Sequence, residues 1–216
     1  MPRKQAHKEA SYKLPHGHLS WSAMDLVERD PIEYARSYIL GEPRFESEAM
    51  LFGKQFAEEM AAGAAGPDSD ERRRFLISIG MPRLELPEHR IEATHNGLKL
   101  VGILDTCASD HRTFREYKSG RAPWTQGRVD SHGQLSFYAA LIWLTKGFLP
   151  TECWLDWVPT TIDPETGDLT ATGEVVSFKR SPFTLLDVVG IIRRAERAAG
   201  IIDGLVKEYQ NTIIKP

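Results

Sequence analysis

Only two cysteines, Cys107 and Cys153, occur in the 216 residues. They are too few for a disulfide framework, a four-cysteine zinc site or an iron–sulfur cluster held by this chain alone. A reducing, cytoplasmic setting is the expectation that follows. Long apolar runs are missing too. The richest stretch, FYAALIWL at 137–144, falls well short of the roughly 18 residues of a spanning helix, so no membrane partner is expected. The start, MPRKQAHKEASYKLPHGHLS, has no apolar run behind its basic residues, and no signal peptide is expected. Neither charge dominates: 27 Lys and Arg face 30 Asp and Glu, a formal net charge of -3. Any attraction for nucleic acid must therefore be local. There is no P-loop, dinucleotide fingerprint or G-x-S-x-G elbow. The seven histidines form no metal-ligand spacing.

What is present is a globular composition, 41% hydrophobic and 26% charged, which excludes disorder along the whole chain. The length suits one domain. Residues 1–18 are expected to form a flexible basic arm, and 19–216 the domain. HLSWSAMDLVERDPIEYARSYILGEP predicts two helices, the first capped by Ser20 or Ser22. Asp30 caps the second, with Pro31 at its first position, and Gly41 and Pro43 stop it. A third helix is expected from about Glu46 to Met60, and a short one from Asp70 to Gly80. LPEHRIEATH, LKLVGILDTCASD and HRTFREYKSG predict three strands, the first two joined by the hairpin signal Asn96-Gly97. A helix over VDSHGQLSFYAALIWLTKG follows, then strands TECWLDWVPTTI and ATGEVVSFKR. A long helix from about Pro182 to Tyr209 closes the chain, with Leu185, Val188, Val189 and Ile192 on its core stripe. This order predicts an α/β fold, a mixed central β-sheet flanked by helices.

Strand alternation places Lys99, Val101, Ile103 and Asp105 on one face and Leu98, Leu100, Gly102 and Leu104 on the other. A carboxylate at the end of such a strand must be paired, hydrogen-bonded or bound to metal. In the next strand Phe114, Glu116 and Lys118 share a face. If the two strands pair as a hairpin, Asp105 and Glu116 converge with Lys118 beside them. Two carboxylates and the Tyr117 carbonyl make a hard-oxygen site for Mg²⁺ or Mn²⁺. A neighbouring lysine positions or deprotonates water, or steadies charge developing on a phosphorus. In outline this is a hydrolytic phosphodiester site. An accidental match is the competing reading, and context decides between them.

The context is an ordered set. Gly102-Ile-Leu-Asp105, Glu116-Tyr-Lys118-Ser-Gly120 and Gln134-Leu-Ser-Phe-Tyr138 follow one another. Upstream lie SWSAMDLVERDPIEYARSYILG and MLFGKQFAEEM. Over residues 19 to 178 the chain resembles the PD-(D/E)XK nuclease superfamily, in its RecB-like and phage exonuclease branch. The resemblance implies a restriction-endonuclease-like core with a mixed four-stranded sheet. It implies that Asp105 and Glu116 bind metal, that Lys118 is the catalytic lysine, and that Gln134 and Tyr138, counted with the catalytic residues, flank the site and contact DNA or the lysine region. The chain departs from the pattern at the upstream ligand. Four residues after Gly53 stands Ala57, so Glu58 is the candidate, with a solvated helix face as the other reading of Glu58 and Glu59. The four-cysteine, iron–sulfur relatives are excluded.

Two further readings stay open. Gln134 also fits a capping box begun by Ser131, and Tyr138 also suits a core aromatic. Between Arg112 and Arg128 lie five basic residues and one acidic one, Glu116, with Trp124 in the loop. Arg115, Arg121 and Arg128 are candidates for phosphate contact and Trp124 for base stacking; Trp124 packed onto the domain is the alternative. The expectation is a Mg²⁺- or Mn²⁺-dependent deoxyribonuclease that acts on DNA. An exonuclease in recombination, repair or phage DNA processing leads. A structure-specific endonuclease and an inactive DNA-binding module of the same fold are the alternatives. A recombination partner protein or a homo-oligomer would suit such a role, in a bacterial cell or phage-infected host.

Overall fold

Side-chain caps set the opening of the domain. The computed structural model describes residues 12–43, 46–62 and 80–213. The first eleven residues of the expected arm and nearly all of the short helix from Asp70 to Gly80 lie outside them. Ser20 accepts the Ala23 N–H and starts α1 (Trp21–Arg29). Asp30 closes α1 through its own N–H to the Leu26 carbonyl, and its side chain caps α2 (Pro31–Tyr34) at the Glu33 N–H. A π-helical turn, Ala35–Ile39, extends α2. Gly41, at φ +70°, then lets the chain turn away. Helix α3 spans Glu48–Ala62.

The hairpin signal is used as expected. β2 (Leu86–His95) runs antiparallel to β3 (Leu98–Cys107), joined at Asn96 and Gly97, both with positive φ. The short β1 (Leu19–Ser20) lies parallel to β3, and β4 (Thr113–Gly120) follows β3 antiparallel. From β4 the chain crosses through α4 (Gln126–Asp130) and α5 (Gly133–Lys146) to β5 (Glu152–Ile162), which is parallel to β4. β6 (Leu169–Ala171) and β7 (Val176–Lys179) both pair antiparallel with β5, and α6 (Leu185–Ile213) ends the fold. The sheet is mixed and flanked by helices, with seven strands among the described residues rather than four.

Three elements differ from expectation for local reasons. The helix expected across 129–147 breaks in two, because His132 adopts extended backbone and becomes the N-cap residue of α5. Of ATGEVVSFKR only Val176–Lys179 forms a separate strand, β7; Ala171 ends β6, which starts earlier at Leu169, and Gly173 lies between them at φ +89°. On α6 the core stripe is rotated. Val188 and Ile192 are buried, with Ala195, Ala199, Ile202 and Val206 continuing the 3.6-residue repeat. Leu185 and Val189, expected on that stripe, are 56% and 42% exposed.

The core lies between the sheet and α5 and α6. Leu98, Leu100 and Leu104 of β3 meet Phe137, Leu141 and Ile142 of α5 there. Gly102 belongs to this packing. A Cβ on it would stand 2.6 Å from Leu141 Cδ1 and 2.9 Å from the Tyr138 ring. Glycine is what allows β3 and α5 to approach so closely, and that approach brings α5 to the end of the sheet where the acidic residues lie.

Candidate active site

β3 and β4 pair at only two positions, Thr106 with Arg115 and Cys107 with Phe114. Beyond these the strands part. The Asp105 carboxylate fills the opening and accepts the Tyr117 N–H through Oδ2 at 2.6 Å. Across from Asp105 on β2, Glu88 has φ +43° and drops out of the ladder between Pro87 and His89. The opening therefore joins Asp105 of β3 to Glu116 and Lys118 of β4 at one end of the sheet.

Glu116 is 2% exposed. Its Oε1 accepts from Lys118 Nζ at 2.5 Å. Lys118 Nζ also donates to Gln134 Oε1 at 2.9 Å. Gln134 Nε2 donates to the Tyr138 hydroxyl at 2.9 Å, and that hydroxyl donates to the Ile103 carbonyl at 2.7 Å. The chain of bonds runs from the Glu116 carboxylate to the β3 backbone and fixes the lysine between two acceptors. Gln134 is used here and not as a cap: Ser131 Oγ donates to the Gly127 and Arg128 carbonyls, and no side chain caps α5. Tyr138 serves both readings, packing in the core while its hydroxyl reaches the network.

Burial sets the electrostatics. Asp105 is pushed well above the ordinary carboxyl range by lost hydration and by the Glu116 charge, against the pull of Lys118 and the Tyr117 N–H. For Lys118, burial works to lower the pKa, but Glu116 and Asp105 outweigh it and hold the ammonium above its usual value. Burial and then Glu116 raise the Tyr138 phenol well above its usual value. His132 is half-buried between Trp21 and Trp124 at ring-centroid distances of 6.1 and 5.0 Å. Burial, then the Lys118 charge, lowers it to about 4. No spacing in the sequence pointed to it, because both indoles arrive from other elements.

Other candidates lie apart. Arg115 sits on β4 but turns to the opposite face from Glu116. Its guanidinium grips the fully buried Asp156 through two bonds of 2.7 and 2.8 Å, so it is held inside rather than offered to phosphate. Trp124 packs against the core, and the Arg128 guanidinium covers its ring at 4.4 Å. Its base-stacking reading therefore gives way to the packed one. Arg121 and Arg128 are exposed. Glu58 is exposed on α3 and does not join the carboxylates. α3 packs through Phe56 against the Tyr117 side, and Glu58 lies two residues on, about 200° around the helix. Among the described residues no three His, Cys, Asp or Glu gather as a metal cluster.

No family model matches the sequence, and no curated protein matches it significantly. Among solved structures, a protein of Eubacterium rectale described as a "putative exonuclease" matches at a TM-score of 0.50 and 11% identity, over 95% of this chain and 89% of its own. The two share a fold. It is the mixed α/β fold that the PD-(D/E)XK resemblance implies. LHK-Exo, solved in complex with dAMP, matches at a TM-score of 0.45 and 13% identity, over 93% of this chain and 95% of its own.

The residues present fit a hard divalent cation. Glu116 Oε2 is buried and meets no N–H or hydroxyl donor; its neighbour is the Asp105 carboxyl, and the two can share a hydrogen bond only when one of them holds a proton. A cation between them would let both ionise. The donor set, two carboxyl groups, is oxygen only, which suits Mg²⁺ or Mn²⁺ over softer ions.

Proposed function

We propose that the chain is a Mg²⁺- or Mn²⁺-dependent deoxyribonuclease, an exonuclease that trims DNA ends in recombination, repair or phage DNA processing. The observation that carries the reading is two buried acids side by side, Asp105 and Glu116, with the Lys118 ammonium bonded to Glu116 Oε1. Asp105, Glu116 and the Tyr117 carbonyl would hold the ion. When bound, the ion makes hydroxide accessible near neutral pH and clamps a phosphate oxygen.

The remaining work falls to side chains. An ammonium has three N–H groups, and Lys118 spends two on Glu116 and Gln134. The third is free to meet a phosphate oxygen or a water, where its charge steadies the negative charge that grows as the phosphodiester bond breaks. Gln134 and Tyr138 hold that lysine in place without entering the reaction. Arg121 and Arg128, exposed on the segment that follows β4, would take the DNA backbone as it leaves the cleft.

The test is incubation of the purified chain with linear and with closed circular duplex DNA, in Mg²⁺, Mn²⁺ or EDTA. Loss of linear DNA alone, and only with metal, is expected. Nicked circles would replace the exonuclease reading with an endonuclease. DNA binding without cleavage in either metal would leave an inactive module of the fold.

A further inference from the structure

On the far end of β2 from the hairpin, two histidines from separate elements meet. His89 lies on β2, in register with Leu104 of β3. His111 lies in the turn between β3 and β4, where φ +60° and an N–H bond to the Ala108 carbonyl set its direction. Their Nε2 atoms stand 2.9 Å apart, with ring centroids at 4.9 Å and planes at 66°. Both side chains are half-buried. Two facing Nε2 atoms at this distance require that at least one carries a bare lone pair.

We propose that His89 and His111 form a two-imidazole site for a zinc-type transition-metal cation, separate from the carboxylate pair. Tetrahedral zinc with Zn–N near 2.0–2.1 Å sets two nitrogens about 3.3 Å apart, so a few tenths of an ångström of opening admits the ion. With His111 Nε2 turned to His89, the neutral ring offers Nε2 as the donor to metal when its proton sits on Nδ1. Burial lowers both histidines, His89 further by its partner, and Lys146 at the end of α5 lowers each. Neutral imidazole, the form that binds metal, is thus the resident state at pH 7. The charged groups facing the pair are Lys146, which opposes a cation, and Asp110 of the turn, which favours one. Water would complete the coordination, since no third His, Cys, Asp or Glu joins them among the described residues. Imidazole suits zinc, nickel and copper, whereas carboxylates suit magnesium, so the two sites separate by ion.

Calorimetric titration of the full chain with Zn²⁺, in millimolar Mg²⁺ to fill the carboxylate site, tests this. One Zn²⁺ per chain and a raised melting temperature are expected. His89→Gln and His111→Asn should each weaken uptake by about tenfold or more; asparagine tolerates the positive φ at 111. Absence of uptake by the parent, or parent-like uptake by both variants, would reduce the pair to an imidazole–imidazole hydrogen bond. Should either variant fail to fold, ring-proton NMR of the parent decides. Zinc-dependent shifts confined to the His89 and His111 rings support the site, and shifts elsewhere or none overturn it. Neither readout depends on DNA cleavage.

Discussion

Two carboxyls buried side by side resist ionising together; Asp105 and Glu116 are such a pair. Glu116 Oε1 and Lys118 form the ion pair on which the proposed chemistry rests. Glu116→Ala and Lys118→Ala should each slow DNA cleavage by about 100-fold or more while the circular dichroism spectrum stays native. Gln134→Ala should cost less, about 10- to 100-fold, because Lys118 keeps Glu116 when its second acceptor is gone. Helix content should not change in that variant, since Gln134 caps nothing. Parent-rate cleavage by the Lys118 variant would remove the site assignment. His132 makes a separate prediction. Its folded pKa of about 4 lies below the usual 6.5, so the unfolded chain binds the extra proton between those values. Stability is then fully present above about pH 6.5 and falls as pH drops towards 4. Asp105, raised by burial, slopes the other way. Denaturant melts of His132→Gln against the parent, at pH 7 and pH 5, isolate the histidine: the variant should lose less stability on acidification.

At the scale of elements, the decisive feature is a strand pair that stops pairing. β3 and β4 keep two ladder positions and then part, and Asp105 takes the Tyr117 N–H that a ladder partner would have held. Helix α5 reaches this gap because Gly102 lets it lie against β3. Gly102→Ala should therefore destabilise by about 1–3 kcal/mol, read from urea denaturation. It should also lower cleavage more than the stability loss explains, because Gln134 and Tyr138 ride on α5. The alternation of side chains was enough to place Glu116 and Lys118 on one face, and the order of motifs pointed to their neighbours on α5. The break before α5 was not legible, since His132 is held in extended backbone by two tryptophans from elsewhere. Nor was the partner of Arg115. Asp156 is 41 residues away and reaches it only because β4 and β5 run parallel.

The whole molecule carries a formal charge of -3, so long-range attraction for DNA is weak and contact must come from local cations. Arg128 and Arg121 are exposed on the segment beyond β4, while Arg115 is neutralised inside. DNA binding measured in EDTA should weaken steeply with salt. Arg128→Ala should reduce the slope of log K against log salt by about one, with Arg115→Ala instead lowering stability by leaving Asp156 buried and unpaired. An unchanged salt slope in the Arg128 variant would place the DNA path elsewhere.

What the chain's own order of residues determined is local. Caps at Ser20 and Asp30, the Asn96-Gly97 turn and the two-residue period of β3 and β4 all act within a few residues, where steric and hydrogen-bond rules are short-ranged. Tertiary structure alone decided which cations face outward, which helix face is buried, and that Glu58 stays apart from the two acids of the sheet. Arg115, Glu58 and Val189 each had a plausible role in one dimension. Their directions were settled by partners on distant segments, because burial and ion pairing depend on which surfaces meet in space, and that is set by how the sheet and helices pack together.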